Sequence, residues 1–297
     1  MDAKITKAHL ALLASGSMWG LMAPIGKAAM EAGITGLSLA TMRMVGAAAC
    51  FWVASLFAPK QKVAKRDYLL LFFASLLSIV FNQGLYIFGL SLTSPIDASI
   101  ITTSMPIVTM ILAAVFLKEP ATPMKIFGVI MGTIGALILI LSNYGGLGES
   151  GNIWGNLMCL TAQISFACYL TIFKGLISRY NIFTLMKWMF TFASICFIPV
   201  SFGDISAMLS QSFAPTVWLE VAYVVLFGTF FAYVMVMIGQ KTLRPTVVSM
   251  YNYVQPIMGA GVSVLMGMDS FGWTKAMASL LIFSGVYLVT QSKSGKE

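Results

Sequence analysis

The hydrophobic pattern of this chain repeats after five segments, and five is an odd number. Apolar runs of about 20 residues, the length at which a helix crosses about 30 Å of hydrocarbon, recur from the first residues to the last. Ten are distinguishable: 8–29, 36–58, 68–92, 95–117, 123–142, 152–174, 182–202, 215–240, 245–267 and 272–291. A five-helix unit followed by its own copy must enter the membrane the second time from the opposite side. The expected fold is an all-α membrane protein of ten transmembrane helices arranged as two inverted five-helix repeats, 1–144 and 152–297. The glycine-rich linker 145–151 joins them. Inverted repeats around a central site are the architecture of alternating access, so the pattern implies a secondary transporter.

Composition agrees. Of 297 residues, 59% are hydrophobic and 9% charged, against about 25% charged in a soluble domain. Helices are the form expected for every run, because backbone polar groups in lipid must be satisfied within the segment. The four cysteines, Cys50, Cys159, Cys168 and Cys196, all lie inside apolar runs without paired spacing, and His9 is the only histidine. They are read as small core-filling residues rather than disulfides or metal ligands. The first run has a basic lead in Lys4 and Lys7 and reads on as a full span, so it is expected to act as an uncleaved signal-anchor.

The net charge of +8 is better explained by topology than by nucleic acid. With the N-terminus in the cytoplasm, 14 of the 18 Lys and Arg fall in inside loops, among them Lys60, Lys62, Lys65, Arg66, Lys118, Arg179 and Arg244. Lys27 and Lys275 fall outside, and Arg43 and Lys187 lie within spans. The positive-inside bias puts both termini in the cytoplasm, in what reads as a bacterial cytoplasmic membrane.

The halves match in detail. Pro95 and Pro245 each open a span 150 residues apart, Pro106 and Pro256 each sit mid-span at the same offset, and Gly135 and Gly285 follow it. Glu119 and Asp269, read as helix-start acids, match as well. Lys27 matches Lys174 at an offset of 147, and Arg43 matches Lys187 at 144. An ordered series over five spans marks an internal duplication.

The stretch Gly89-Leu-Ser-Leu-Thr-Ser-Pro95-Ile-Asp-Ala-Ser-Ile, followed by Pro106 and by Phe116-Leu-Lys-Glu119, resembles the fourth-helix signature of the EamA family. That family belongs to the drug/metabolite transporter superfamily. Met18-Trp19-Gly20 with Pro24 is similar to its opening helix. The resemblance covers roughly 10–142 and 152–291. It implies a ten-helix inverted-repeat carrier, usually exporting small metabolites such as amino acids. The second half departs from the pattern, with Thr171 in place of Pro24 and Met268-Asp269 in place of Lys118-Glu119.

The central prolines are the first site candidates. Proline frees the carbonyl four residues earlier, that of Thr102 for Pro106 and that of Asn252 for Pro256. Either these carbonyls line a cavity, or the prolines make plain structural kinks. Around them lie amides and aromatics: Trp19 in the first span; Asn82, Gln83 and Tyr86 in the third; Gln163 in the sixth; Tyr223, Phe230 and Tyr233 in the eighth; Tyr253 and Gln255 in the ninth. As a set they describe a mostly apolar substrate cavity with a few polar groups. Singly, each also fits interhelical hydrogen bonding or aromatic packing.

Pro24, Pro106 and Pro256, with the in-span cations Arg43 and Lys187, are candidates for kinking and gating. Arg43 fits either snorkelling to the interface or contact with a substrate carboxylate. Asp97 and Glu220 are candidate partners for it, and candidate proton couplers. Gly128, Gly132 and Gly135, and likewise Gly259 with Gly261, suggest close helix contacts.

No cofactor or metal is expected. Gly20 to Gly26-Lys27 has five intervening residues and then Ala28, where a P-loop needs four and then Ser or Thr. The expected partners are a small-molecule substrate and the lipid bilayer, with no nucleic acid and an oligomeric state left open. Export of small amphiphilic metabolites, amino acids among them, is the leading function. Alternatives are a nucleotide-sugar or phosphate-ester exchanger, which needs several basic residues facing the cavity, and a membrane protein with no transport role. An intramembrane enzyme lacks the clustered carboxylates or nucleophile pair it requires.

Overall fold

A computed structural model describes residues 3–92, 101–143, 153–265 and 272–292. Every apolar run contains helix, and no strand occurs among the described residues. The elements are α1 (Ala3–Glu31), α2 (Gly36–Leu56), α3 (Lys65–Ser75), the π-helical segment π1 (Leu76–Phe81) and α4 (Asn82–Leu92). Then come α5 (Met105–Leu117), α6 (Pro123–Asn143), α7 (Ile153–Ile172) and the short α8 (Lys174–Arg179). The second half continues with α9 (Ile182–Leu209), α10 (Pro215–Val225), π2 (Leu226–Phe231) and α11 (Ala232–Thr242). It ends with α12 (Pro245–Met250), a 3-10 turn (Tyr251–Tyr253), α13 (Val254–Leu265) and α14 (Trp273–Gln291). Among the described residues, six helical stretches are long and apolar enough to cross a membrane: Ala3–Glu31, Gly36–Leu56, Lys65–Gly89, Ile153–Ile172, Ile182–Leu209 and Pro215–Thr242. Pro95, Asp97, Asp269 and the linker 145–151 lie outside the described residues.

Local chemistry sets the ends. Thr35 caps α2 by accepting the Ser38 N–H at 3.1 Å, and Asn181 caps α9 by accepting the Thr184 N–H at 2.7 Å, each satisfying a donor that a first turn leaves orphaned. Pro215 and Pro245 start their helices, where a missing N–H costs nothing. Gly33 leaves α1 at φ 108°, a conformation that glycine adopts without strain.

Small residues bring the helices close. A Cβ at Gly128 would lie 2.8 Å from the Gly285 carbonyl, and one at Gly135 2.7 Å from that of Ala278, so α6 and α14 touch backbone to backbone in antiparallel sense. Gly132 faces the Tyr253 ring, while a Cβ at Gly261 would meet nothing within 4 Å among the described residues. Helices α2 and α9 are also antiparallel, joined by Thr41–Ser201 at 2.8 Å and by Trp52 donating to Thr191 at 3.0 Å. Gly89 on α4 meets Cys159 on α7, and Gly239 on α11 meets Leu12 on α1. Large apolar side chains such as Leu56, Phe202 and Leu219 cover the outside, as expected of a surface that faces lipid.

Prolines 106 and 256 do not bend continuous helices. The fourth run breaks in a turn at Thr103-Ser104, and Pro106 stands in the first turn of α5. The ninth run tightens into its 3-10 turn just before Pro256. Both breaks fall within the turn that leads to the proline, where its ring removes a helical hydrogen bond and crowds the carbonyl four residues back, that of Thr102 or Asn252.

One end of the bundle is fastened by ionic and carbonyl bonds. Glu119 accepts from Lys125 at 3.1 Å and from Thr246 at 3.2 Å, so its role reaches beyond the start of α6. Asp67 accepts from Arg179 at 2.8 Å and from Tyr180 at 2.7 Å, and that bond to the carboxylate pushes the Tyr180 phenol above its usual pKa. Lys174 donates to the carbonyls of Gln240 and Leu243, Lys241 to that of Tyr180, and Arg244 to those of Val289, Thr290 and Ser292.

Candidate functional site

The two π-helical segments build the centre. Each is six residues long, each stands between helical arms of 11 residues, and they are 150 residues apart. A π turn takes carbonyls out of the ordinary ladder and is frequent at functional sites. In π2 the Gly228 carbonyl accepts the Trp19 indole N–H at 3.0 Å. The Thr229 hydroxyl donates to the Val224 carbonyl, five residues back, at 2.8 Å.

Arg43 reaches from α2 into this centre. Its Nε–H donates to Thr229 Oγ1 at 3.0 Å and its Nη1–H to Gln83 Oε1 at 3.1 Å. Gln83 in turn donates to Asn82 Oδ1 at 3.1 Å, and Asn82 to the Ala162 carbonyl on α7 at 3.0 Å. Arg43 is only 6% exposed, which overturns snorkelling, and its Nη2 has no hydrogen-bond partner among the described residues. Glu220 makes no ion pair with it; the described pairs are Lys125–Glu119 and Arg179–Asp67.

Aromatic rings wall the group. Tyr233 meets Trp19 edge-on at 5.8 Å and Phe190 at 5.0 Å, while Phe51 lies 5.3 Å from Phe190 and 4.7 Å from Phe230. Adjoining this wall is a cavity of about 10 Å³, room for a single water. Trp19 and Ser15 on α1, Met105 on α5, Phe166 on α7, and Tyr251 and Asn252 at the ninth-run break line it.

The two helix breaks meet beside this cavity. The Asn252 amide contacts Met105 Sδ and accepts from Gln255 at 3.3 Å. The Tyr253 hydroxyl donates to the Thr103 carbonyl at 3.2 Å and lies 2.7 Å from Thr133 Oγ1. The break is therefore closed by a side chain from the other half. Thr102 is half-buried next to it, and Gln163 is buried beside Ala162.

Three expected residues stand apart. Tyr223 stacks on Phe227 at 5.4 Å, Pro24 is exposed on α1, and Tyr86 is half-buried, its carbonyl facing Cys159 of α7. Lys187 reaches Ser55 at 3.4 Å and lies 4.5 Å from the Trp52 ring, so it is not a second cation beside Arg43. Thr229, Met105, Phe166, Tyr251 and His9 (whose Nδ1 is 2.7 Å from the Tyr251 hydroxyl) belong to the centre without having been singled out from sequence. One signal pointed to Phe166: it follows Trp19 by 147 residues, the offset that relates Lys27 to Lys174.

Apolar helices with buried polar groups converging on the bundle interior define an integral membrane protein of the small-molecule transporter class. The EamA-like transporter family matches residues 6–141 and again 153–291. The chain belongs to this family, within the drug/metabolite transporter superfamily. It is 24% identical over 199 residues to an uncharacterized transporter of Archaeoglobus fulgidus, covering 66% of this chain and 68% of that one. It is 22% identical to the WAT1-related protein At5g13670 of Arabidopsis thaliana, over 93% of this chain and 82% of the relative. It is 20% identical to the uncharacterized transporter YetK of Bacillus subtilis, over 78% and 70%. A crystal structure of a protein 17% identical in sequence superposes with a TM-score of 0.79, over 96% of this chain and 98% of that one, which shows a shared fold.

Proposed function

We propose that this transporter works by alternating access, with two inverted five-helix repeats, 1–144 and 152–297, rocking about the centre at Arg43 and Asn252. It exports small amphiphilic metabolites, amino acids among them by family resemblance, across a prokaryotic cytoplasmic membrane with both termini inside. Trp19, Asn82, Gln83, Gln163, Phe230, Tyr233, Asn252, Tyr253 and Gln255 form or support the site, with Thr102 and Tyr86 at its margin.

The observation that carries this reading is the pairing of equivalent parts. The identical helix–π–helix runs recur at an offset of 150 residues. Gly89 against Cys159 and Gly239 against Leu12 are the same contact seen from each half, since Leu12 and Cys159 differ by 147. The antiparallel pairs α2/α9 and α6/α14 join equivalent helices, as inversion requires. The double family match supports the duplication. With Lys187 held by Trp52, the phosphate-exchanger alternative has one buried cation at the centre instead of several.

Counterflow in reconstituted liposomes tests the reading. Radiolabelled uptake of at least one small metabolite should depend on the same unlabelled solute trapped inside. Uptake no faster than in empty liposomes across a broad metabolite panel removes the carrier proposal. Cysteines at Lys62 and at Gln291, both exposed, should react with an impermeant maleimide from one face only; reaction from opposite faces removes the topology.

A further inference from the structure

We infer that Arg43 is the anchor for the carboxylate of an organic-anion substrate, an assignment that rests on the carrier function proposed above and narrows its cargo.

A guanidinium carries five N–H donors in a planar fork. In Arg43 two of them meet neutral oxygens, Thr229 Oγ1 and Gln83 Oε1, and Nη2 meets none. The side chain is 6% exposed, so bulk solvent does not reach it freely. A buried charge is normally held against an opposite charge. Among the described residues no carboxylate pairs with Arg43. The neutral acceptors orient the charge without neutralising it.

That orientation is fixed from three sides. The Gln83–Asn82–Ala162 bonds hold Gln83 Oε1 toward Arg43 from α4 and α7, and π2 holds Thr229 by its bond to Val224. What is left without an acceptor among the described residues is the far edge of the fork, Nη2 together with the second N–H of Nη1. Two parallel N–H donors fit the two oxygens of a carboxylate.

A single cation matches a monoanion; a phosphate dianion would bring in a charge that nothing here offsets, because Lys187 is engaged with Trp52. No carboxylate among the described residues at the centre answers an ammonium group, which favours carboxylates without one over the amino acids of the broader reading. Tyr233, one turn beyond Thr229, and the Trp19, Phe51 and Phe230 rings offer an apolar wall. The cargo this favours is a simple carboxylate with an apolar body.

The test uses matched acid and amide probes on the purified full chain in detergent. Benzoate and butyrate should raise the melting temperature saturably, while benzamide and butyramide leave it unchanged. The Arg43→Gln variant, which loses an uncompensated charge, should melt no lower than wild type and need at least tenfold more benzoate for the same shift. Arg43→Lys keeps the charge without the fork and should fall between. A wild-type protein shifted equally by acid and amide, or by neither, overturns the assignment. So does a benzoate response that Arg43→Gln retains, or a chloride response equal to benzoate at matched ionic strength. Should Arg43→Gln fail to fold, the acid–amide comparison on wild type still decides. Failure of the carrier reading has a different signature, benzoate bound in detergent without counterflow in liposomes. Failure of this inference alone gives counterflow of neutral or cationic solutes that Arg43→Gln leaves intact.

Discussion

Arg43 and Thr229, 186 positions apart in the chain, meet at 3.0 Å, and the threonine hydroxyl is itself turned by its bond to the Val224 carbonyl at 2.8 Å. The hydroxyl proton is committed to its own helix, so its oxygen is presented to the guanidinium as an acceptor only. A tight pairing across the two halves is thereby built from a neutral side chain inside a π-helical turn.

Replacing Thr229 by Val keeps the shape and removes the acceptor. A second donor of a buried guanidinium is then unsatisfied, at a cost of about 1–3 kcal/mol. Thr229→Ser should restore the bond and most of the stability. Thermal unfolding of the two variants in detergent checks this.

Gly285 lies where a Cβ would come within 2.5 Å of the Gly128 carbonyl, whereas one at Gly261 would have nothing within 4 Å among the described residues. Gly285→Ala must push α6 and α14 apart and should cost about 1–3 kcal/mol. Gly261→Ala should be neutral or stabilising by up to about 1 kcal/mol, the difference in helix propensity. Melting temperatures moving in opposite directions separate the two cases.

The Tyr253 hydroxyl closes the break in the fourth run by donating to the Thr103 carbonyl. Tyr253→Phe removes that bond and should cost about 0.5–1.5 kcal/mol, the net contribution of one hydrogen bond. The loss should be largely absent when Thr133 is replaced by Val instead, because the tyrosine then keeps the carbonyl. Paired unfolding curves read the difference.

Lys125 is 1% exposed at the fastened end and is answered by Glu119 at 3.1 Å. Glu119→Gln leaves a buried ammonium group without its counter-charge and should cost about 3–5 kcal/mol, while the double change to Met at both positions should cost much less. In the single variant, a cysteine placed at Ser15 should become more reactive to an impermeant maleimide as that end loosens. Unchanged reactivity together with an unchanged melting temperature would sink the idea that this end is a latch.

The apolar runs, their offsets and the glycine face at 128, 132 and 135 were legible because each is a periodic property of the chain. Arg43 was visible as a cation in a span, but its partner was not: nothing in Phe-Gly-Thr-Phe-Phe announces a π turn, and the pairing is long-range. Arg43 and Lys187 look alike as repeat equivalents, and only packing separates the buried fork from the cation over Trp52. Pro106 and Pro256 were read as mid-helix kinks because hydrophobic periodicity continues through a turn of two residues. Gly261 resembled the other small-residue contacts because composition does not reveal whether a neighbour is present.

A chamber with room for one water molecule also bears on the passage of cargo. Among the described residues the rings of Trp19, Phe166 and Tyr251 close the interior down to that single space. A metabolite is many times larger than one water, so for the carrier proposed above, room for cargo must come from movement of the helices that line this space.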